Sequence, residues 1–132
     1  MMTYDFEVSD SIPASPEEIY DAWMSSDGHS VMTGSAANVD PLIGGDFDAW
    51  DGYIHGTTLE LDENRRIVQS WRSANFTDEH ADSSIEVLLD GDDAATTVTV
   101  RHSNVPDDQR GYEEGGWQKS YFDPMKAYFA DQ

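Results

Sequence analysis

Two histidines in segments that alternate like strands are the side chains best suited to acid–base chemistry. His55 alternates with Thr57 and Leu59, and His102 follows two valines at the same spacing. Histidine titrates near neutrality, so an inward-facing pair could donate to a ligand carbonyl or act as acid and base. No carboxylate stands at a spacing that would orient either ring, and a third metal ligand cannot be placed. We therefore expect core or rim histidines, with ligand contact as the alternative, and no metal site.

Aromatic side chains are the second group that could form a site. Trp50, Trp71 and Trp117 each offer a large apolar surface and one N–H that prefers a partner, which suits a core or a pocket wall. Tyr121 and Met125 follow Trp117 at helical spacing, a pattern more typical of packing than of ligand contact. The candidate cavity residues are Trp50, His55, Leu59, Trp71, Val87, Val100, His102, Trp117, Tyr121 and Met125. No residue is assigned a catalytic role.

Motifs of the common enzyme classes are missing from the sequence. It contains no Gly-x-Ser-x-Gly elbow, no phosphate-binding loop and no dinucleotide fingerprint. It also has no cysteine, which excludes disulfides, thiolate metal sites and a cysteine nucleophile. We therefore predict no cofactor, and a binding domain is favoured over an enzyme.

The charge balance restricts the class of partner. The formal net charge is −20, from 27 acidic and 7 basic residues. Nucleic acids and anionic membranes both need a basic footprint, so neither is an expected partner. The acids lie in turns and on alternating strand positions, which fits a solvated surface or adaptation to a high-salt cytoplasm. Calcium is a weaker alternative, because Asp90–Asp93 lacks the loop spacing of an EF-hand.

Length and hydropathy predict one domain covering residues 1–132. No apolar run approaches the ~20 residues that a membrane span needs. The N-terminus has neither the basic nor the apolar region of a signal peptide. A cytoplasmic location is the default expectation.

Period-two alternation predicts most of the secondary structure. In the first segment, Tyr4, Phe6 and Val8 share one face. Asp51-Gly52 marks a hairpin turn. Strands joined by short turns indicate an antiparallel sheet. The predicted strands are 2–12, 39–41, 44–49, 53–61, 66–74, 83–89 and 96–102.

Two helical regions complete the predicted order: short helices after the first strand, of which the second is one helical turn and a loop within 27–35, and a long helix near the C-terminus. Ser15 is a helix N-cap, Pro16 suits the first helical position, and Glu18 completes a capping box. A long aromatic helix is expected over roughly 107–130, with a kink at Pro124. The fold class is therefore α+β, a curved antiparallel sheet of six or seven strands wrapped around this C-terminal helix. Such a geometry commonly leaves a cavity between sheet and helix.

Five short segments, taken in order, carry a resemblance: 12–23, 44–47, 52–56, 66–71 and 116–117. This ordered set is similar to the SRPBCC (START-like, helix-grip) superfamily, and within it to domains related to the activator of heat-shock-protein-90 ATPase. The resemblance implies a hydrophobic cavity, since superfamily members bind lipids, sterols, polyketides and other apolar molecules, and some are enzymes.

Three functions remain open from the sequence. The leading one is binding of a small apolar or amphipathic ligand between sheet and C-terminal helix. The second is a protein-interaction module, with a chaperone or another protein as partner. The third is a cyclase, hydratase or hydrolase that uses His55 or His102 with a nearby Asp or Tyr.

Overall fold

A single seven-stranded antiparallel sheet dominates the computed structural model, which describes residues 2–109 and 111–130 and all their side chains except those of residues 113 and 114. The strand order is β1-β7-β6-β5-β4-β3-β2, so the first strand pairs with the last. The strands are β1 Thr3–Ile12, β2 Asn38–Val39, β3 Asp46–Ala49, β4 Ile54–Asp62, β5 Arg66–Ser73, β6 Ser83–Gly91 and β7 Thr96–Pro106. The predicted sheet and its hairpin order are confirmed.

Alternation along the central strands places one face of the sheet against the helices. In β5 every second side chain from Ile67 to Ser73 is buried, and in β6 the same holds from Ser83 to Leu89. β7 is longer than expected and continues to Pro106, with Val98, Val100 and His102 on the buried face. The concave face therefore carries the core that the sequence pattern predicts.

The first helix, α1, covers Pro16–Trp23 and begins as the sequence predicts. The Ser15 hydroxyl accepts from the Glu18 N–H at 3.2 Å, and the Glu18 carboxylate accepts from the Ser15 N–H at 3.2 Å. This reciprocal pair satisfies two otherwise unpaired donors at the helix start. Ile19 and Trp23 form the buried face of α1.

A second helix, α2, covers Ser26–Thr33 and is longer than the single turn expected there. The Ser25 hydroxyl accepts from the Gly28 N–H at 2.8 Å and caps its start. Gly34 ends it in the left-handed conformation, with φ of 82°. This helix contributes His29 and Met32 to the core, and the sequence pattern did not single out His29.

The C-terminal helix is not one continuous α-helix. It starts at Tyr112 rather than near 107. Residue 110, which falls in the predicted range, is not among the described residues. Two π-helical segments, Tyr112–Gly116 and Gln118–Phe122, precede α3, which covers Asp123–Ala130.

The helix type changes next to Pro124, where the sequence predicts a kink. The N–H of Asp123 donates to the carbonyl of Gln118, five residues back, which is the π-helical pattern. Pro124 is the second residue of α3 and has no N–H to donate to the preceding helical turn. The missing donor therefore coincides with the change from π-helical to α-helical structure.

The helices cover the concave face of the sheet with aromatic side chains. Trp23, Trp117, Tyr121 and Phe122 are all buried, and they join the apolar side chains of β5, β6 and β7 in one core. Within the described parts of the chain, no helix is both long and apolar enough to cross a membrane.

Candidate functional site

A cavity of about 360 Å³ lies between the C-terminal helix and the sheet. Its walls come from the turn between β3 and β4, from the start of β4, from β5 and from the π-helical segments. Its lining is mostly aromatic, and none of the lining residues that the structure describes carries a charged side chain. The lining residues are Trp50, Tyr53, Ile54, Trp71, Tyr112, Gly116, Trp117, Ser120 and Tyr121.

The β3–β4 turn positions Trp50 at the cavity. Trp50 and Asp51 have φ values of 55° and 57°, and Gly52 follows at 86°, so three successive residues are left-handed. The turn is anchored by the N–H of Asp51, which donates to the carbonyl of Ala36 at 2.8 Å, and by the N–H of Tyr53, which donates to the carbonyl of Trp50 at 3.1 Å. The Asp51-Gly52 turn signal is confirmed, and it directs the preceding tryptophan inward.

Trp71, Trp117 and Tyr121 form a continuous aromatic wall. The Trp71 and Trp117 ring centroids are 5.0 Å apart with a tilted geometry, and the Trp117 and Tyr121 centroids are also 5.0 Å apart. Trp50 meets Tyr121 edge-on at 6.3 Å. Such pairs each contribute about 0.5–1.5 kcal/mol beyond the area that they bury. The rings of the wall are therefore packed against one another.

Tyr121 is held from behind by His29. Nδ1 of His29 lies 3.0 Å from the carbonyl of Trp23, which can only accept, so this nitrogen carries the proton. Nε2, which lies 2.9 Å from the Tyr121 hydroxyl, is then the acceptor, and the hydroxyl donates to it. Burial lowers the pKa of His29 and raises the pKa of Tyr121. Both groups stay neutral, and the tyrosine proton is committed to the histidine.

His102 holds Trp117 in the same way. The indole N–H of Trp117 donates to Nδ1 of His102 at 3.2 Å, so Nε2 carries the proton. Nε2 lies 2.8 Å from the Ser83 hydroxyl, which donates in turn to the carbonyl of Trp71 at 2.6 Å. Burial lowers the pKa of His102 to about 3. This buried imidazole is a satisfied neutral bridge between helix and sheet.

Gln69 connects α1 to the sheet on the same face. The indole N–H of Trp23 donates to its side-chain oxygen at 3.0 Å, and its amide donates to the Thr58 hydroxyl at 3.2 Å. Gln69 is 1% exposed. In the sequence, the only signal that could have identified Gln69 is the alternation of β5, which places it on the buried face between Val68 and Ser70.

Two indole nitrogens of the cavity wall are not hydrogen-bonded in this way. Among the described residues, Nε1 of Trp50 and Nε1 of Trp71 are buried and lack a hydrogen-bond partner. Burial raises the pKa of Tyr121 and of Tyr112, and the indole N–H groups of Trp50 and Trp71 approach these two hydroxyls and oppose that rise, although neither contact meets full hydrogen-bond geometry. Buried polar groups are normally paired, so these two donors are exceptions.

The structure brings together only part of the predicted site. Trp50, Trp71, Trp117 and Tyr121 line the cavity. His102 lies behind the wall with both ring nitrogens bonded. Three further predicted residues are buried in the core and do not line the cavity: Val87, Val100 and Met125.

The placement of His55 and Leu59 in the cavity is wrong. Ile54 and Thr58 are the buried residues of β4, so His55 lies on the opposite face. A register shift between Thr58 and Glu60 then breaks the alternation, and Leu59 is 45% exposed. His55 borders a polar depression on the outer face of the sheet.

Neither this depression nor any other described cluster has the composition of a metal centre. In the described portion of the chain, no group of three or more His, Asp or Glu side chains is arranged to hold an ion.

Sequence comparison relates the chain to one family. The family model described as "Activator of Hsp90 ATPase homolog 1-like protein" matches residues 13–130. An activator of 90 kDa heat shock protein ATPase homolog from Dictyostelium discoideum is 25% identical over 97% of this chain and 33% of its own length. The human activator homolog 1 is 24% identical over 96% of this chain and 37% of its own length. The chain thus spans about a third of these relatives.

Solved structures share the fold over nearly the whole chain. A Plasmodium falciparum protein described as an HSP90 activator superposes with a TM-score of 0.83 at 22% identity, covering 96% of each chain. The Aha1 dimer of Colwellia psychrerythraea gives 0.76 at 19% identity, covering 97% of this chain and 96% of that one. At such identities the likeness concerns the fold.

Proposed function

This chain belongs to the Activator of Hsp90 ATPase homolog 1-like family, and we propose that it binds a small, largely apolar molecule in the cavity between its sheet and its C-terminal helix. The observation that carries the proposal is the cavity itself. Its volume of about 360 Å³ falls in the range of small-molecule sites, and its lining is aromatic with a few polar groups.

The cavity has a natural entrance. Tyr53, Tyr112 and Gly116 line both the cavity and an adjoining surface depression. Tyr53 is 44% exposed, and its hydroxyl accepts from the Asn75 amide at 2.5 Å. A ligand would pass between this tyrosine and the first π-helical segment, then bury its surface against the aromatic wall.

Affinity would come from burial of apolar area, at about 25 cal/mol per Å² before the costs of association. The wall is already packed, so little side-chain ordering would oppose binding. Among the described residues, no acid–base pair faces the cavity, since the imidazoles of His29 and His102 are behind Tyr121 and Trp117. The arrangement therefore supports binding better than catalysis.

The test is titration with the neutral fluorescent probe N-phenyl-1-naphthylamine. Ser120→Phe places a ring in the cavity, and we expect at least tenfold weaker probe binding. Thr97→Phe adds the same ring at an exposed position of β7 and should bind as wild type does. Circular dichroism confirms that both variants fold. Equal binding by Ser120→Phe and wild type would refute this site.

A second candidate function is contact with a chaperone of the Hsp90 type. The named relatives are activators of that ATPase, and the structure has an exposed apolar patch that could serve as the contact. Leu42 and Ile43 are 67% and 64% exposed. The backbone of the same loop bonds to Thr58, the neighbour of the exposed Leu59. We call Leu42, Ile43 and Leu59 the loop patch.

The loop patch can be tested without disturbing the cavity. Leu42→Asp and Ile43→Asp should abolish any stimulation of a purified Hsp90-type ATPase by this protein. Val31→Asp is the matched control, because Val31 is 54% exposed on α2 and lies outside the patch. Absence of stimulation by the wild-type protein, or equal loss in all three variants, would count against the patch.

A further inference from the structure

The turn between β3 and β4 holds a backbone conformation that its residue types do not all favour. Trp50, Asp51 and Gly52 have φ values of 55°, 57° and 86°. Left-handed backbone suits glycine and is tolerated by aspartate, but it is an outlier for a bulky side chain such as that of Trp50. The other non-glycine residues with positive φ, among those that the structure describes, are Asn64 and Asn104. Trp50 is therefore the only aromatic residue in the described part of the chain that is held in this way.

The strained turn is part of the cavity wall. Trp50 and Tyr53 both line the cavity, and Tyr53 also lines the surface depression that forms its entrance. Trp50 is half-buried and Tyr53 is 44% exposed, so this turn lies between the cavity and solvent. Strained backbone persists only where its surroundings hold it, and it concentrates at ligand clamps and switch regions. Strain at this place points to a moving part.

Contacts from two other loops hold the turn in place. The N–H of Asp51 donates to the carbonyl of Ala36 at 2.8 Å, and the N–H of Ala74 donates to the carbonyl of Tyr53 at 2.8 Å. The Asn75 amide donates to the Tyr53 hydroxyl at 2.5 Å. All five residues are exposed, so water can replace these three bonds when they break.

The strands on either side give the turn fixed ends. Ala49 of β3 pairs with Ile54 of β4 in the sheet, and both residues are buried. Motion of the turn would therefore begin beyond this pair and be confined to residues 50–53. Trp50 and Tyr53 both lie within this range, so they would move together.

We propose that the β3–β4 turn, residues 50–53, is the gate of the cavity. In the closed state, which the structure shows, the three bonds hold the turn in its left-handed conformation and Trp50 against Tyr121. In the open state the turn leaves that conformation, the backbone strain is released, and Trp50 and Tyr53 move away from the first π-helical segment. The inference rests on the proposed function, because it concerns access to the same cavity.

Exchange of indole protons with solvent tests the motion without any ligand. The Nε1 atoms of Trp50 and Trp71 are both buried, and each approaches a tyrosine hydroxyl without full hydrogen-bond geometry. Trp71 belongs to β5 inside the sheet, so its indole is a matched reference for that of Trp50. We expect the Trp50 indole proton to exchange at least tenfold faster than that of Trp71 in ¹H–¹⁵N spectra. Trp50→Phe and Trp71→Phe identify the two signals.

Relief of strain in the closed state should slow the motion. Asp51→Gly keeps the backbone bonds of the turn, and glycine adopts a φ of 57° without a steric penalty, so the closed state gains stability over the open one. We expect the Trp50 indole proton to exchange about threefold more slowly. Asn64→Gly is the matched control, because it makes the same change at a φ of 65° in the turn between β4 and β5, away from the lining residues. It should leave exchange at Trp50 unchanged.

The association rate of a probe tests whether the motion controls access. Stopped-flow mixing with N-phenyl-1-naphthylamine measures the rate constants for association and dissociation. Asp51→Gly should lower both about threefold and leave the dissociation constant nearly unchanged, because a gate alters passage and not the closed site. Asn64→Gly should match wild type in both rate constants.

The outcomes separate the gate from the proposed binding function. Equal exchange at Trp50 and Trp71, or exchange at Trp50 that Asp51→Gly does not slow, would overturn the gate whatever the probe does. Slower exchange with an unchanged association rate would mean that ligands enter elsewhere, which also overturns it. If the probe does not bind at all, the proposed function is wrong, and the exchange rates alone decide whether the turn opens.

Discussion

The indole N–H of Trp117 donates to Nδ1 of His102 at 3.2 Å and joins the C-terminal helix to β7. Because the indole can only donate, the bond exists only while the imidazole is neutral. The other ring nitrogen is bonded to the Ser83 hydroxyl, so protonation of His102 would break the contact between the cavity wall and the sheet.

Stability should therefore depend on pH through His102. The folded protein keeps its pKa near 3, while the unfolded chain takes up the proton near 6.5. The unfolded state binds more protons between these values, so the free energy of unfolding falls as the pH drops from 6.5 towards 3. One such group contributes up to about 1.4 kcal/mol per pH unit.

The comparison uses His102→Gln in urea titrations from pH 7.5 to 4. At pH 7 this variant should be less stable by about 1–3 kcal/mol, because it leaves Trp117 or Ser83 poorly paired. The difference from wild type should shrink as the pH falls. His55→Gln, at an exposed position on the outer face, should follow wild type throughout. Parallel curves for His102→Gln and wild type would show that burial of this histidine does not govern the pH dependence.

Gly56 should not tolerate a side chain. A Cβ at this position would overlap the carbonyl oxygen of Ser70 on β5 and approach the Phe47 ring to 2.9 Å. Gly56→Ala must therefore displace strand backbone, and we expect a loss of about 3 kcal/mol in the free energy of unfolding. Gly111→Ala is the control, since a Cβ there would meet no described atom within 4 Å. Similar melting of the two variants would contradict this account.

The capping box of α1 should be worth about 1 kcal/mol. Ser15→Ala removes the acceptor for the Glu18 N–H and the side-chain partner of the Glu18 carboxylate. Thermal melts followed by circular dichroism measure the loss. Ser9→Ala changes an exposed serine of β1 in the same way and should stay within about 0.5 kcal/mol of wild type. An equal effect of both substitutions would mean that the cap contributes nothing specific.

Salt should stabilise this protein. With a net charge of −20, exposed acids repel each other in dilute buffer, and the Debye length shortens to ~3 Å at 1 M salt. One cluster of these acids surrounds Tyr20: burial raises the pKa of this tyrosine, and the negative charges of Glu63, Asp21 and Asp62 raise it further. We expect the midpoint of unfolding to rise between dilute buffer and 2 M KCl.

The matched variant is Asp21→Asn with Glu63→Gln. Removal of two exposed charges from this cluster should raise stability in dilute buffer by a few tenths of a kcal/mol and reduce the salt dependence. A wild-type melt that is no better in KCl would remove the case for adaptation to high salt.

Much of the fold was determined by local pattern. Period-two alternation located β5, β6 and β7 and placed Trp71, Val87 and Val100 on the buried face. Turn and cap chemistry is equally local, which is why the Ser15 cap and the Asp51-Gly52 turn were predictable. The strand count and the aromatic C-terminal helix then left only a sheet wrapped around a helix.

The face of β4 was not determined in this way. Its residues alternate equally well with His55 inward or outward, and a shift of one residue reverses every side chain. Two features decide which face of β4 is buried: the close approach of Gly56 to β5, and the bulge between Thr58 and Glu60. Both depend on neighbouring strands. His55 and Leu59 were misplaced for that reason.

The site itself was decided by tertiary structure. His29 and Tyr121 are 92 residues apart in sequence, as Trp23 and Gln69 are 46 apart, and no spacing announces either bond. Sequence alone determined that tryptophans would line the concave face, because burial of apolar area is a property of each side chain. The hydrogen bonding of each indole N–H depends on atoms that only folding brings together. Trp117 has an acceptor among the described residues, whereas Trp50 and Trp71 do not.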